Sequence, residues 1–393
     1  MSYDVDALRA REFPWTESGE HIYLDNAKTG ALPASAVAAA AKWAALRAEP
    51  FRLSAYQDLE VFRKCRELVA KLIGANIGEI ACMVNTSYGI NLASLGLPLK
   101  PGDVVLTYEG EYPADVYPWM SLAKKGVRLE FIPKRDGLQD EARLLEELKR
   151  PDVRVVTMSW VSFSTGYRAD LATIGRACRE RGIYFVVDAI QGVGAVTLNM
   201  STLEIDVLAC GGQKWLLSPW GSGFVYVREG LLRAIEPAVV GWLAMRSSED
   251  FTRMVDYDFT LYEDARRFQV NTLPAQDFAG LNASLEMFME LGPAAVETHI
   301  ESIVSEAVQW AQAHSELIRL VTPADPAKRA GVLAIAPRDP AAASRALAAA
   351  NISHSLREGA IRLSPHCFNT NAEMRKALGV LEESASVLRD RAR

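Results

Sequence analysis

Through the first two thirds of the chain, apolar residues fall in short runs separated by amphipathic stretches. The runs Ala81–Val84, Val104–Thr107, Val127–Ile132, Val155–Trp160, Tyr184–Val187, Val207–Cys210 and Gly223–Val227 are rich in β-branched and aromatic residues and have the length of strands. Between several of them lie helical patterns. Leu171–Arg181 is one, and Gly182 closes it as a helix C-terminus requires. Strand–helix alternation of this kind predicts an α/β fold with a mostly parallel seven-stranded sheet covered by helices on both faces.

After about residue 260 the pattern changes. Two long helical stretches, Pro274–Leu291 and Ala294–His314, precede a short apolar run at Val332–Ile335. An Ala-rich helix (Ala341–Ala350), a strand at Ala360–Leu363 and a final helix (Asn371–Leu388) follow. The expectation is a smaller C-terminal α+β domain over 259–393, a large domain over 23–258, and an N-terminal arm, 1–22, packing with the small one.

Composition narrows the function. With 393 residues, 49% of them hydrophobic, the chain buries a large core. A net charge of −6 gives no electrostatic case for nucleic acid or a membrane surface. No apolar run reaches bilayer length, and Met1–Trp15 carries charges throughout, unlike a secretory leader. The five cysteines (Cys65, Cys82, Cys178, Cys210, Cys367) have no paired spacing, so buried reduced thiols are expected rather than a metal site. The expectation is a cytoplasmic protein acting on a small molecule.

Two strand ends carry the candidate chemistry. The run ending at Val187 delivers Asp188, and the run ending at Cys210 leads through Gly211-Gly212-Gln213 to Lys214. A lysine can form an imine with pyridoxal phosphate, and a neighbouring aspartate can hold a proton on its pyridine nitrogen so that the ring accepts electrons. The segment Asn85-Thr86-Ser87 follows a strand and opens a helix, a natural phosphate cradle. A nicotinamide dehydrogenase would need a third glycine after Gly192-Val193-Gly194, where position 197 is threonine. A non-catalytic cofactor-binding protein would be expected to have lost Lys214 or Asp188.

From Tyr23-Leu24-Asp25-Asn26-Ala27 to Arg362-Leu363-Ser364-Pro365-His366, the chain resembles the class V aminotransferase group of fold type I pyridoxal phosphate enzymes. That group includes cysteine desulfurases, selenocysteine lyases, kynureninases and isopenicillin-N-epimerase-like proteins. The resemblance implies that Thr86, Ser87 and Gln213 hold the cofactor phosphate, with Gln213 standing where many relatives have histidine and Gly211 where serine is common. It implies that Tyr112 lies over the pyridine, where desulfurases commonly have histidine, and that Gln191 contacts the phenolic oxygen. Phe163 occupies the place of a desulfurase asparagine. Thr272 would enter the neighbouring subunit's site, which implies a homodimer with shared active sites. Arg357 matches the arginine for the substrate carboxylate, with Arg362 as its competitor, and Asn26 and Ala27 would line the entrance. Lys28, unusual at its place, is a candidate for an acidic group.

In this scheme the substrate amine displaces Lys214, whose freed amine becomes the base for the Cα proton. The exit route is open between transamination, β-elimination and epimerisation. Desulfurases carry a persulfide cysteine in a loop after the carboxylate arginine, whereas Arg357-Glu358-Gly359 runs directly into Ala360-Ile361-Arg362. A cysteine desulfurase is therefore disfavoured. An aminotransferase is the first expectation, a β-eliminating carbon–sulfur lyase the second and an epimerase the third.

Overall fold

The computed structural model describes residues 3–54, 56–270 and 272–391, with side chains to residue 385. Its large sheet contains β2 (Ile80–Met83), β3 (Val104–Tyr108), β4 (Arg128–Ile132), β5 (Val153–Ser159), β6 (Tyr184–Asp188), β7 (Val207–Gly211) and β8 (Gly223–Val227). These are the seven runs expected, with ends that agree to within two residues. The two-residue strand β1 (Ile22–Tyr23) precedes them.

The strands lie in the order β2-β8-β7-β6-β5-β3-β4. From β7 to β4 every pairing is parallel, and β8 alone runs antiparallel to both its neighbours. Strands β2, β3, β7 and β8 are buried along their whole length. That matches a sheet covered on both faces, where continuous apolar runs replace alternation. Edge strand β4 instead exposes Arg128 and carries Glu130, which pair with Asp152 and Arg150. Charge on an edge discourages pairing with another chain.

The C-terminal region forms a four-stranded antiparallel sheet in the order β12-β13-β10-β9. Its strands are β9 (Ile318–Leu320), β10 (Leu333–Pro337), β12 (Ser355–Arg357) and β13 (Ala360–Leu363). Strand β11 (Ile352–Ser353) pairs in parallel with β1, which ties the N-terminal segment to this region. The N-terminal helix Val5–Glu12 is fastened nearby: Arg9 donates to the Phe368 carbonyl and to Glu373, both at 2.8 Å. The helix Ala275–Leu291, by contrast, packs against Ala34–Ala48 and Gln57–Ile73.

In an open parallel sheet, ligands bind outside the carboxyl ends of the strands. Here those ends bring Ser159 of β5, Asp188 of β6 and Gly211 of β7 side by side, with Ser159 opposite Asp188 in the ladder and Asp188 opposite Ala209.

Candidate active site

Asp188 is the last residue of β6, and its carboxylate accepts from the Ile190 amide at 2.8 Å. Burial pushes its pKa up to about 6, while the Ile190 hydrogen bond and the Lys214 charge pull the other way. Lys214 follows β7 in a turn closed by the Leu217 amide, which donates to the Lys214 carbonyl at 3.2 Å. Burial lowers the ammonium's pKa to about 8, opposed by Asp188 and reinforced by Arg362 and Arg357. An amine moved toward neutrality is a better nucleophile and base at physiological pH. Among the described residues, the Lys214 amine has neither a hydrogen bond nor an ion pair. It faces the Tyr112 ring, whose centroid is 5.5 Å away.

The Lys214 turn is clamped by backbone rather than by bulky side chains. A Cβ at Gly30 would fall 2.0 Å from the Lys214 carbonyl oxygen, and one at Gly194 would fall 2.1 Å from that of Trp215. Gly30 also donates to the Gln213 carbonyl at 2.8 Å. Only glycine permits such approaches. From the other side, His366 bonds through Nε2 to the Trp215 carbonyl at 3.0 Å while its Nδ1 accepts from the Cys367 amide. Burial lowers the pKa of His366 to about 4, so the ring is a neutral clasp between the small domain and the lysine turn.

The helix expected to cradle a phosphate opens at Thr86. Asn85 caps the helix Thr86–Gly96 by accepting from the Tyr88 amide, and Thr86 Oγ1 accepts from the Gly211 amide at 2.9 Å. That bond fixes the buried Thr86 beside the lysine strand and leaves its own hydrogen to donate. Ser87 is exposed and Gln213, next to Lys214 in the chain, is half-buried. Tyr112, 47% exposed, meets Phe163 edge to face with centroids 5.3 Å apart, so its ring has room for a flat partner.

Other candidates are placed differently. Gln191 is buried: its Oε1 accepts from Trp215 Nε1 at 2.7 Å and its Nε2 donates to the Ala27 carbonyl at 3.0 Å. Asn26 is fully buried and donates to the Ser364 carbonyl, which fastens the entrance segment to the end of β13. Lys28 is exposed. Thr272, in left-handed backbone geometry at φ 57°, lines a groove of about 630 Å³ with Trp43, Trp242 and Pro274. None of the other candidate residues lines that groove.

The two arginines divide unexpectedly. Arg357 is half-buried, and its only hydrogen bond among the described residues goes to the neighbouring Leu356 carbonyl. Arg362 is buried, donates to the Phe163 carbonyl at 2.9 Å and approaches Asp25 and Ser355 at 3.4 Å, with its Nε unpartnered. Its charge weighs on Lys214 more than that of Arg357 does. Three further residues were not singled out from sequence. Glu111 and Asp115 lie fully buried beside Asp188, joined through Ser159. Two acids four residues apart in an otherwise apolar and aromatic segment were the available signal.

Among the described residues all five cysteines are free and buried, no cluster suits a metal ion, and no helix is long and apolar enough to cross a membrane.

Comparisons with known proteins place the fold and the family. A probable cysteine desulfurase of Pyrococcus abyssi is 30% identical, over 96% of this chain and 97% of that one. An uncharacterized aminotransferase of Bacillus subtilis, YcbU, is 29% identical over 82% and 83% of the two chains. The solved cysteine desulfurase of Thermococcus onnurineus superposes with a TM-score of 0.85 at 26% identity, covering 98% of this chain and all of that one. The family model for class V aminotransferases matches residues 22–383, and the chain belongs to that family.

Proposed function

We propose that the protein is a pyridoxal phosphate enzyme that acts at the Cα of an amino acid, and that its reaction is transamination. The observation that carries the reading is the convergence of an unpaired Lys214 amine, the Tyr112 ring and the Asp188 carboxylate, with Asp188 and Lys214 at the ends of the adjacent strands β6 and β7. The residues present fit the cofactor. Thr86, Ser87 and Gln213 suit its phosphate, Tyr112 its ring face, Asp188 its ring nitrogen and Lys214 its aldehyde carbon. In a solved protein of the same fold, a C-DES variant, glycine is covalently linked to the PLP cofactor. When bound, the cofactor supplies an electron sink for the Cα carbanion.

The chain's own residues do the rest. Asp188 keeps the ring nitrogen charged. Lys214, with its depressed pKa, would take the Cα proton and deliver it to the cofactor's imine carbon rather than back to Cα, as transamination requires. Arg362 is the stronger candidate for the substrate carboxylate, because its charge acts more on Lys214 than that of Arg357 and its Nε has no partner among the described residues. Arg357, nearer the surface, suits a role at the entrance. Gln191 is held rigid by Trp215 and Ala27, consistent with a fixed contact to the cofactor's phenolic oxygen. The groove beside Thr272, with Trp242 partly exposed in its lining, supports a homodimer in which that segment serves a neighbouring site.

A second reading, β-elimination at a carbon–sulfur bond, is favoured by relatives named as cysteine desulfurases. It would proceed without a persulfide cysteine, since every thiol is buried. Incubation of the yellow protein with single amino acids and no keto acid separates the two. Lasting loss of the yellow absorbance, restored by a keto acid, identifies the aminotransferase. Continuous release of ammonia and keto acid with the colour retained identifies the lyase and overturns transamination.

A further inference from the structure

Three buried carboxyl groups meet at the end of β6. Glu111 and Asp115 come from the segment that carries Tyr112, and Asp188 comes from the strand end itself. Among the described residues, no lysine, arginine or histidine forms an ion pair with any of the three. The hydrogen-bond donors can therefore be counted. The Ser159 amide donates to Glu111 Oε1 at 3.3 Å and the Ser159 hydroxyl to Glu111 Oε2 at 2.6 Å. The Ile190 amide donates to Asp188 Oδ1 at 2.8 Å.

Asp115 is left out. Its Oδ2 lies 3.2 Å from Ser159 Oγ, but that hydroxyl has one hydrogen and the shorter contact to Glu111 claims it. No donor reaches Asp115 Oδ1, and the residue is 0% exposed. An ionised carboxylate in that position would be buried, unsolvated and beside two like groups. Ser159 Oγ is an acceptor within reach, and Asp188, opposite Ser159 in the β5–β6 ladder, is the neighbouring carboxylate.

We propose that Asp115 is a neutral carboxylic acid that donates its hydrogen to Asp188, and so acts as a positioning residue for the aspartate that faces the cofactor's ring nitrogen. The role rests on the cofactor reading above; the protonation of Asp115 does not. Burial and the charges of Asp188 and Glu111 all raise the pKa of Asp115, whereas the hydrogen bond from Asp115 lowers that of Asp188. Burial pushes Glu111 up to about 7, with Asp188 adding to it and Ser159 opposing. The groups facing the cluster from the neighbouring strand are Lys214 and Cys210. A donated hydrogen bond does two things for Asp188. It fixes the carboxylate's rotation, so that one oxygen points where a ring nitrogen would lie. It also spreads the negative charge, so that the proton is held on the nitrogen rather than captured by the aspartate.

The test is infrared spectroscopy of the purified protein in D2O at a pH of about 9, above the range in which Glu111 and Asp188 titrate, before and after loading with pyridoxal phosphate. A carboxylic-acid carbonyl band present in the wild type, absent in Asp115→Asn and retained in Glu111→Gln is the expected result. No such band in the wild type, or a band that survives Asp115→Asn, overturns the proposal. The positioning role is read separately from pyridoxal phosphate affinity. Asp115→Asn, whose amide can still donate to Asp188, should bind within about threefold of wild type, and Asp115→Ala should bind more weakly by on the order of tenfold. Equal affinity in both variants sinks the positioning role. Should Asp115→Ala fail to fold, a tenfold loss in Asp115→Asn sinks it as well. A wild type that takes up no pyridoxal phosphate refutes the cofactor reading and leaves the infrared result standing.

Discussion

Trp215 donates its indole hydrogen to Gln191 Oε1 at 2.7 Å, so the residue next to the lysine holds the amide expected at the cofactor. The bond crosses from the turn after β7 to the turn after β6. With His366 on the Trp215 carbonyl and Ala27 accepting from Gln191, it forms one buried chain from the small domain to the N-terminal segment. Satisfied buried networks fix geometry, and leaving one member unpaired is costly.

Trp215→Phe keeps the ring but orphans Gln191 Oε1. It should lower unfolding free energy by about 1–3 kcal/mol, measured by urea denaturation. The variant should also bind pyridoxal phosphate less tightly, because the amide regains rotation. Unchanged stability and affinity would mean the bond has no structural weight.

Lys214→Ala removes both the attachment point and the proposed base. The yellow colour should be lost, and turnover with a responsive amino acid should fall by about 100- to 10,000-fold. Initial rates and the visible spectrum check this together. A variant that stays yellow would place the covalent attachment elsewhere.

The depressed pKa of Lys214 has a stability consequence in the cofactor-free protein. The unfolded lysine titrates near 10.5 and the folded one near 8, so between these values the unfolded state binds more protons and stability rises with pH. Below about 8 the amine is charged in both states and the burial penalty is fully present. Lys214→Met, which cannot charge, should therefore be more stable than wild type at pH 7 by no more than about 3 kcal/mol. The difference should shrink from pH 8 to 10.5. Chemical denaturation of both proteins across that range tests the sign.

Arg362→Lys should reduce kcat/KM for an amino acid substrate by about tenfold or more, since an ammonium cannot reproduce paired donation to a carboxylate. Arg357→Lys should cost less than about threefold if that residue only borders the entrance. The reverse ranking in steady-state kinetics would return the carboxylate to Arg357.

Alkylation bears on the cysteines. All five thiols are buried, so iodoacetamide should leave the activity of the native protein intact. Rapid inactivation, protected by substrate, would reveal a working thiol and revive the desulfurase chemistry.

Much of the molecule could be read from the chain itself. Seven strands, the mostly parallel sheet, the main helices and the position of Asp188 and Lys214 at the ends of neighbouring strands follow from local pattern, because a fully buried strand must be a continuous apolar run and ligands bind where such runs end. The short strands β1, β9, β11 and β12 were not legible, since two or three residues carry no period. The roles of Arg357 and Arg362, five positions apart, turn on which one the β12–β13 hairpin sends inward, and spacing alone could not rank them. The carboxyl cluster was invisible for a stronger reason. Glu111 and Asp115 read as ordinary polar residues until the segment folds over β5 and β6, and only there does exclusion of water turn three acids into a question of where one proton resides.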